Sequence, residues 1–179
     1  MSIKDKLPQE ATPKILITGC GRSGTRYVSE ALKEWGLDVG HEIEGKNGTA
    51  DWYKALNPKG YDLVLHQVRH PLDAIMTLHT LSDQSWEFIS KNTTVKESDP
   101  MDLKCMKYWF EWNLMAEHFS IATYRVEAIT PLFPNTKSDH NSRINMRTKR
   151  KTWKDLEKID KELAEGIRLL ALKYGYADA

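Results

Sequence analysis

Cysteine is scarce in this chain: Cys20 and Cys105 are the only two, too few for a disulfide framework and without paired metal-ligand spacing. Both are expected to be reduced. No apolar run approaches the ~18 residues that a membrane-spanning helix needs. The opening stretch MSIKDKLPQEA holds no apolar segment that could serve as a secretory leader. A soluble, cytoplasmic protein is the expectation, with neither a membrane nor a nucleic acid as partner. A net charge of one sign is also missing, since 26 basic and 25 acidic side chains leave a formal charge of +1, a balance that names no partner class. The distribution is less even. From Arg143 to Lys154, RINMRTKRKTWK carries six basic residues and no acidic one, which reads either as a solvated loop and helix start or as an anion-binding flap.

What is present is an alternation of short apolar runs with amphipathic stretches over 179 residues, enough for one domain with a real core. Residues 1–12 are expected to form a flexible tail. The pattern predicts a three-layer α/β domain, a mostly parallel sheet flanked by helices. A strand at 14–18 leads through a glycine-rich turn into a helix from Gly24 to Trp35, stopped by Gly36. A short second strand is expected in LDVGHE (37–42) and a third in YDLVLHQVR (61–69). Pro71 then opens a helix over PLDAIMTLHT. Residues 85–100 read as a helical piece and a loop. The stretch 101–119 reads as a core helix with Leu103, Met106, Phe110 and Leu114 on its buried stripe. A strand over 120–127, an irregular connection, and one or two helices over 153–174 complete the chain. In a parallel sheet, ligands collect at the carboxyl ends of the strands. Gly19–Arg26, Gly40–Glu42 and Arg69–Pro71 all follow predicted strands, so they should converge there.

The first of these segments, GCGRSGTR (19–26), has the outline of a phosphate-binding loop. Gly19, Gly21 and Gly24 let backbone approach an anion, and the following helix start supplies unpaired amides. A loop of the ATP- or GTP-hydrolysing kind requires lysine and then a hydroxyl after the second glycine. Here Thr25 and Arg26 stand at those two places, and the cation, Arg22, lies inside the loop. The ligand for magnesium is lost, which weakens a kinase or NTPase reading without removing it.

GRSGTRYVSEAL resembles the 5′-phosphosulfate loop of the sulfotransferase family, in which a basic residue, Ser or Gly, and then Gly-Thr or Gly-Ser end the first strand. Arg22 falls on the basic position. VRHPLDAIMT (68–77) resembles the family's 3′-phosphate element: Arg69 ends a strand, Pro71 and Asp73 keep the spacing, and Thr77 carries a hydroxyl eight residues after the arginine. The likeness covers residues 14–80, and more loosely the strand with Tyr124, Arg125 and Glu127. The family's glycine-rich C-terminal element is absent, and Arg147, Lys149 and Arg150 of the basic segment are offered in its place.

The resemblance implies a P-loop-like nucleotide-binding fold and a sulfotransferase activity. The donor would be 3′-phosphoadenosine 5′-phosphosulfate, with no metal required, and the acceptor a small molecule or carbohydrate. Gly21, Arg22, Ser23, Gly24, Thr25 and Arg26 would hold the 5′ end of the donor, and Arg69 with Thr77 the 3′ end. Arg22 would also stabilise charge on the leaving phosphate oxygen. Glu42 and then His41, in GHE after the second strand, are the candidates for the base. His66 in LHQVR is a third, set against its reading as a hydrogen-bonded core residue. Trp109 and Trp112 are expected in the core. A nucleotide kinase or NTPase with a degenerate loop, and a nucleotide-binding protein without turnover, stand as the alternatives.

Overall fold

The largely β-branched run Ile15–Thr18 forms the first strand, β1, and takes the centre of the sheet. The structure is a computed structural model and describes residues 13–129 and 151–177. Helix α1 (Thr25–Glu34) follows, then the short strands β2 (Gly40–His41) and β3 (Gly48–Ala50). A 3-10 turn at Tyr53–Leu56 leads to β4 (Leu63–Val68), α2 (Pro71–Leu78), α3 (Asp83–Asn92) and α4 (Met101–Phe119). Strand β5 (Ala122–Arg125) runs directly into the single turn α5 (Val126–Ile129), and α6 (Trp153–Ile159) and α7 (Lys161–Lys173) close the chain. The order of the sheet is β2-β3-β1-β4-β5, with every pair parallel. The protein is thus an α/β domain with a five-stranded parallel sheet flanked by helices.

Local chemistry explains most boundaries. Gly24 starts α1 from a left-handed conformation (φ 95°). At the other end Gly36 (φ 87°) donates to Lys33 O while Leu37 donates to Leu32 O, the paired bonds of a glycine-terminated helix. Pro71 opens α2, capped by His70 Nδ1, which accepts from the Leu72 amide. Asp160 settles the C-terminal region as two helices: its extended backbone ends α6, and its side chain accepts from Leu163 N to start α7.

Successive strand residues face opposite layers. Ile17 and Ala50 pack with Val28 of α1 on one face. On the other, Val68 joins the larger core of α2, α4, α6 and α7, around Trp109, Trp112, Ile75 and Ile167. The connections after β1 and β4, two adjacent strands, therefore leave to opposite faces. Such a divergence opens a crevice at the carboxyl ends of the two strands, the common ligand position in open parallel sheets.

Three expectations are corrected. Strand β3 has no counterpart in the sequence reading, because Gly-Thr-Ala between polar neighbours carries no periodic signal. The strand placed over 120–127 ends at Arg125, and Val126 begins a helical turn. In α4 the buried stripe is Cys105, Met106, Tyr108, Trp109, Trp112, Asn113 and Ala116. Leu114 faces solvent, and Leu103 and Phe110 are only partly covered. A helix apolar on several sides does not define its own inward face, and here Tyr108 and Asn113 turn inward because their polar tips find partners. The tail over 1–12 and most of the basic segment, with Arg147, Lys149 and Arg150, lie outside the described residues.

Candidate functional site

The glycine loop leaves β1 under tight constraint. A Cβ on Gly19 would stand 2.1 Å from Gln67 O, so only glycine lets the loop pass this close to β4. Three loop amides are bonded within the protein. Cys20 N donates to Asn113 Oδ1 (3.3 Å), Gly21 N to the Tyr108 hydroxyl oxygen (2.8 Å), and Ser23 N to Cys20 O (3.3 Å). The first intrahelical bond of α1 runs from Val28 N to Gly24 O. The amides of Thr25 and Arg26, in the first turn, are thus left for an external acceptor. Beside them the buried hydroxyls of Ser23 and Thr18 have no hydrogen-bond partner among the described residues. Arg22 sits in the left-handed region at φ 65°, a conformation that few non-glycine residues hold without help from their surroundings.

That help comes from both flanks. Arg22 Nη2 donates to Thr80 O (3.1 Å), beyond the end of α2, and Arg69 Nη1 donates back to Arg22 O (3.3 Å). The two arginines singled out in the sequence therefore meet across the crevice between β1 and β4. Gln67 adds a third tie, donating to Ser23 O (2.8 Å) while it accepts from the Tyr124 hydroxyl (2.7 Å). Arg69 is held from behind, because the fully buried Trp109 donates its indole N–H to Arg69 O (3.3 Å). Burial pushes the Cys20 thiol up to about 12, although the Asn113 contact and the Arg69 charge act in the opposite direction. Thr77 is buried and donates its proton to Ala74 O (2.8 Å), one turn before the carbonyl that receives Arg22. Arg26 turns along α1 to pair with Glu30 (3.0 Å).

Across the loop, the ends of β2 and β3 bring a second group together. His41 stands opposite Ala50 in the parallel register, and Glu42 N donates to Ala50 O (3.1 Å). Glu42 is exposed, in the left-handed region at φ 56°. Asp51, the residue after β3, is 7% exposed. Its amide donates to Ile17 O (2.9 Å), and its Oδ1 accepts from Tyr53 N (2.9 Å). Burial holds His41 below the ordinary imidazole range against the opposing charges of Glu42 and Asp51. Burial raises Asp51 against the hydrogen bond from the Tyr53 amide and the Lys54 charge, with a smaller upward contribution from Glu42. Burial raises the Tyr108 hydroxyl, against the hydrogen bond that it receives from the Gly21 amide. Glu42, His41 and Asp51 thus share one electrostatic environment at the ends of β2 and β3.

His66 belongs elsewhere. It is fully buried on the α4 face, with Nε2 3.0 Å from Asn113 Oδ1 and Nδ1 3.1 Å from Thr123 Oγ1. The amide oxygen can only accept, so Nε2 carries the proton and the Thr123 hydroxyl donates to Nδ1. Burial pushes this imidazole down to about 4, and its role is structural. Trp109 and Trp112 are fully buried core residues, as expected.

The sequence reading missed Asp51, Tyr108, Asn113 and Gln67. Asp51 could be found only by first recognising β3. The other three lie inside a helix and a strand, where polar side chains carry no positional signal.

No family model, no curated protein and no solved structure matches the chain. Among the described residues, no helix is long and apolar enough to cross a membrane.

Proposed function

We propose that the protein is a sulfotransferase that uses 3′-phosphoadenosine 5′-phosphosulfate as donor and a hydroxyl or amine of a small molecule or carbohydrate as acceptor, on a P-loop-like nucleotide-binding fold. The observation that carries this reading is the meeting of Arg22 and Arg69. The arginines of two separate donor motifs, 47 positions apart, are linked at the carboxyl-end crevice by the bond from Arg69 Nη1 to Arg22 O.

The residues present suit a doubly anionic nucleotide. The first-turn amides of α1, the unpartnered Ser23 hydroxyl and Thr25 supply donors for a 5′-phosphosulfate, with Gly21, Gly24 and Arg26 completing the loop. Arg69 supplies a planar, charge-assisted donor for a 3′-phosphate, with Thr77 in the adjoining helix. The donor when bound supplies an activated sulfuryl group with an adenosine 3′,5′-bisphosphate leaving group. The chain's own task is to align acceptor and donor and to neutralise charge on the leaving oxygen, which falls to Arg22. Glu42 and His41 line the acceptor side, where a proton must be taken.

The test is release of adenosine 3′,5′-bisphosphate from sulfur-labelled donor in the presence of a chelator. Donor-dependent turnover without added metal supports the reading. Consumption of ATP with magnesium and no reaction of the labelled donor would establish a kinase or NTPase instead. Selective bisphosphate binding with no turnover for any acceptor would leave a binding protein.

A further inference from the structure

We propose that Asp51 is a catalytic residue of this site, the carboxylate that takes the acceptor's proton. This inference rests on the sulfotransferase reading and deepens it. Four observations converge on Asp51. The parallel register of β3 with β1 puts the residue beside the glycine loop, with its amide on Ile17 O (2.9 Å), two residues before Gly19. Its side chain is oriented, since Oδ1 accepts the Tyr53 amide (2.9 Å). Among the described residues the other carboxylate oxygen receives no hydrogen bond and no cation forms an ion pair with Asp51. The residue is nevertheless only 7% exposed, and burial makes its carboxylate more basic than an ordinary aspartate.

The charged groups near it come from two elements. On β2, His41 is half-buried and Glu42 is exposed; from the 3-10 turn, Lys54 contributes a positive charge at a distance. Burial, with a smaller contribution from Glu42, raises the proton affinity of Asp51, and the Tyr53 amide, Lys54 and His41 only partly offset it. A poised acid or base is built in this way, from a carboxyl in a half-dry setting with a second carboxylate nearby. Glu42, open to water, belongs to the entrance. In the reaction the acceptor oxygen forms its bond to sulfur while the bond from sulfur to the 5′-phosphate oxygen breaks, leaving its electron pair on that phosphate. The acceptor's proton passes to the free oxygen of Asp51 and from there to water.

The experiment compares the full chain with Asp51→Asn, Asp51→Glu and Glu42→Gln. Asn keeps an oxygen for the Tyr53 amide, so D51N should fold, and its thermal midpoint checks this. Bisphosphate release from labelled donor is followed with 4-nitrophenol and with water as acceptor probes. Isotope-labelled aspartate gives the carboxyl titration in the absence of any reaction. D51N is expected to lose about 100-fold or more in turnover while keeping its stabilisation by adenosine 3′,5′-bisphosphate. The acidic limb of the pH-rate profile should disappear with it, and D51E should recover part of the rate. The carboxyl signal lost in D51N should titrate above the ordinary aspartate range, and E42Q should lose less than D51N. Turnover of D51N within about threefold of wild type, or a larger loss in E42Q than in D51N, overturns the assignment. If the wild-type chain neither releases nor binds the bisphosphate, the sulfotransferase reading fails and this inference falls with it.

Discussion

Arg69 reaches across the crevice between β1 and β4 to donate to the backbone carbonyl of Arg22 at 3.3 Å. The contact joins the residue that ends β4 to the residue at the crown of the glycine loop. Among the described residues the other N–H groups of Arg69 make no hydrogen bond, and the proposed donor would bind them. Replacing Arg69 by alanine should remove both roles. Each charge-assisted contact is worth about 1.5–3 kcal/mol, so R69A should weaken adenosine 3′,5′-bisphosphate roughly 10- to 100-fold by calorimetry. Lysine should not restore it, having neither the planar fork nor the reach to Arg22 O. R22A should lower turnover more than affinity, because the role proposed for its charge is to stabilise the leaving oxygen. Unchanged affinity in R69A together with unchanged turnover in R22A would contradict the donor placement.

Asn113 is the hidden support of the loop. Its Oδ1 accepts from Cys20 N (3.3 Å) and His66 Nε2 (3.0 Å), while its own Nδ2 donates to Trp109 O (2.7 Å). Asn113→Ala strands two buried donors and leaves a small void, and should destabilise the fold by about 2–4 kcal/mol. A lower urea midpoint with an unchanged slope would be the signature. A midpoint within experimental error of wild type would show that the loop stands without this tie.

The depressed His66 imidazole makes stability depend on pH. In the folded chain it protonates only near 4, whereas in the unfolded chain it does so near 6.5. Between these values the unfolded state binds more protons, so unfolding free energy rises with pH there. The contribution is fully present above about 6.5 and is lost as pH falls toward 4, up to about 3 kcal/mol in all. Denaturant titrations from pH 4 to 7 should show this slope in the wild type and a flatter one in His66→Asn. Parallel curves would contradict the assignment.

Legibility in the sequence followed the strength of local signals. β1, the glycine turn and α1 were readable because Ile-Leu-Ile-Thr, Gly24 and Gly36 each force a local geometry. Pro71 marked α2 in the same way, and residues 101–119 were long enough to declare a helix with correct ends. Arg22 and Arg69 were readable because both follow strands. The rest depends on tertiary partners. Strand β3 exists because β1 and β2 bond to it, and without β3 the position of Asp51 beside the loop could not be inferred. Tyr108 and Asn113 face inward because Gly21, Cys20 and His66 receive them, which helical periodicity did not reveal. Glu42 follows β2, as expected, but only the fold brings its charge near Asp51.

The central claim, a donor site built by Arg22 and Arg69 on the carboxyl edge of the sheet, is tested most directly by thermal unfolding of the full chain with saturating adenosine 3′,5′-bisphosphate, beside ATP with magnesium and adenosine 5′-monophosphate. A ligand bound only by the folded state at about 100 times its dissociation constant adds about 2.7 kcal/mol, a shift of several degrees for a chain of this size. The account predicts that shift for the bisphosphate, little for the monophosphate, and its loss in R69A. Stabilisation by ATP with magnesium alone, or by none of the three, would contradict it.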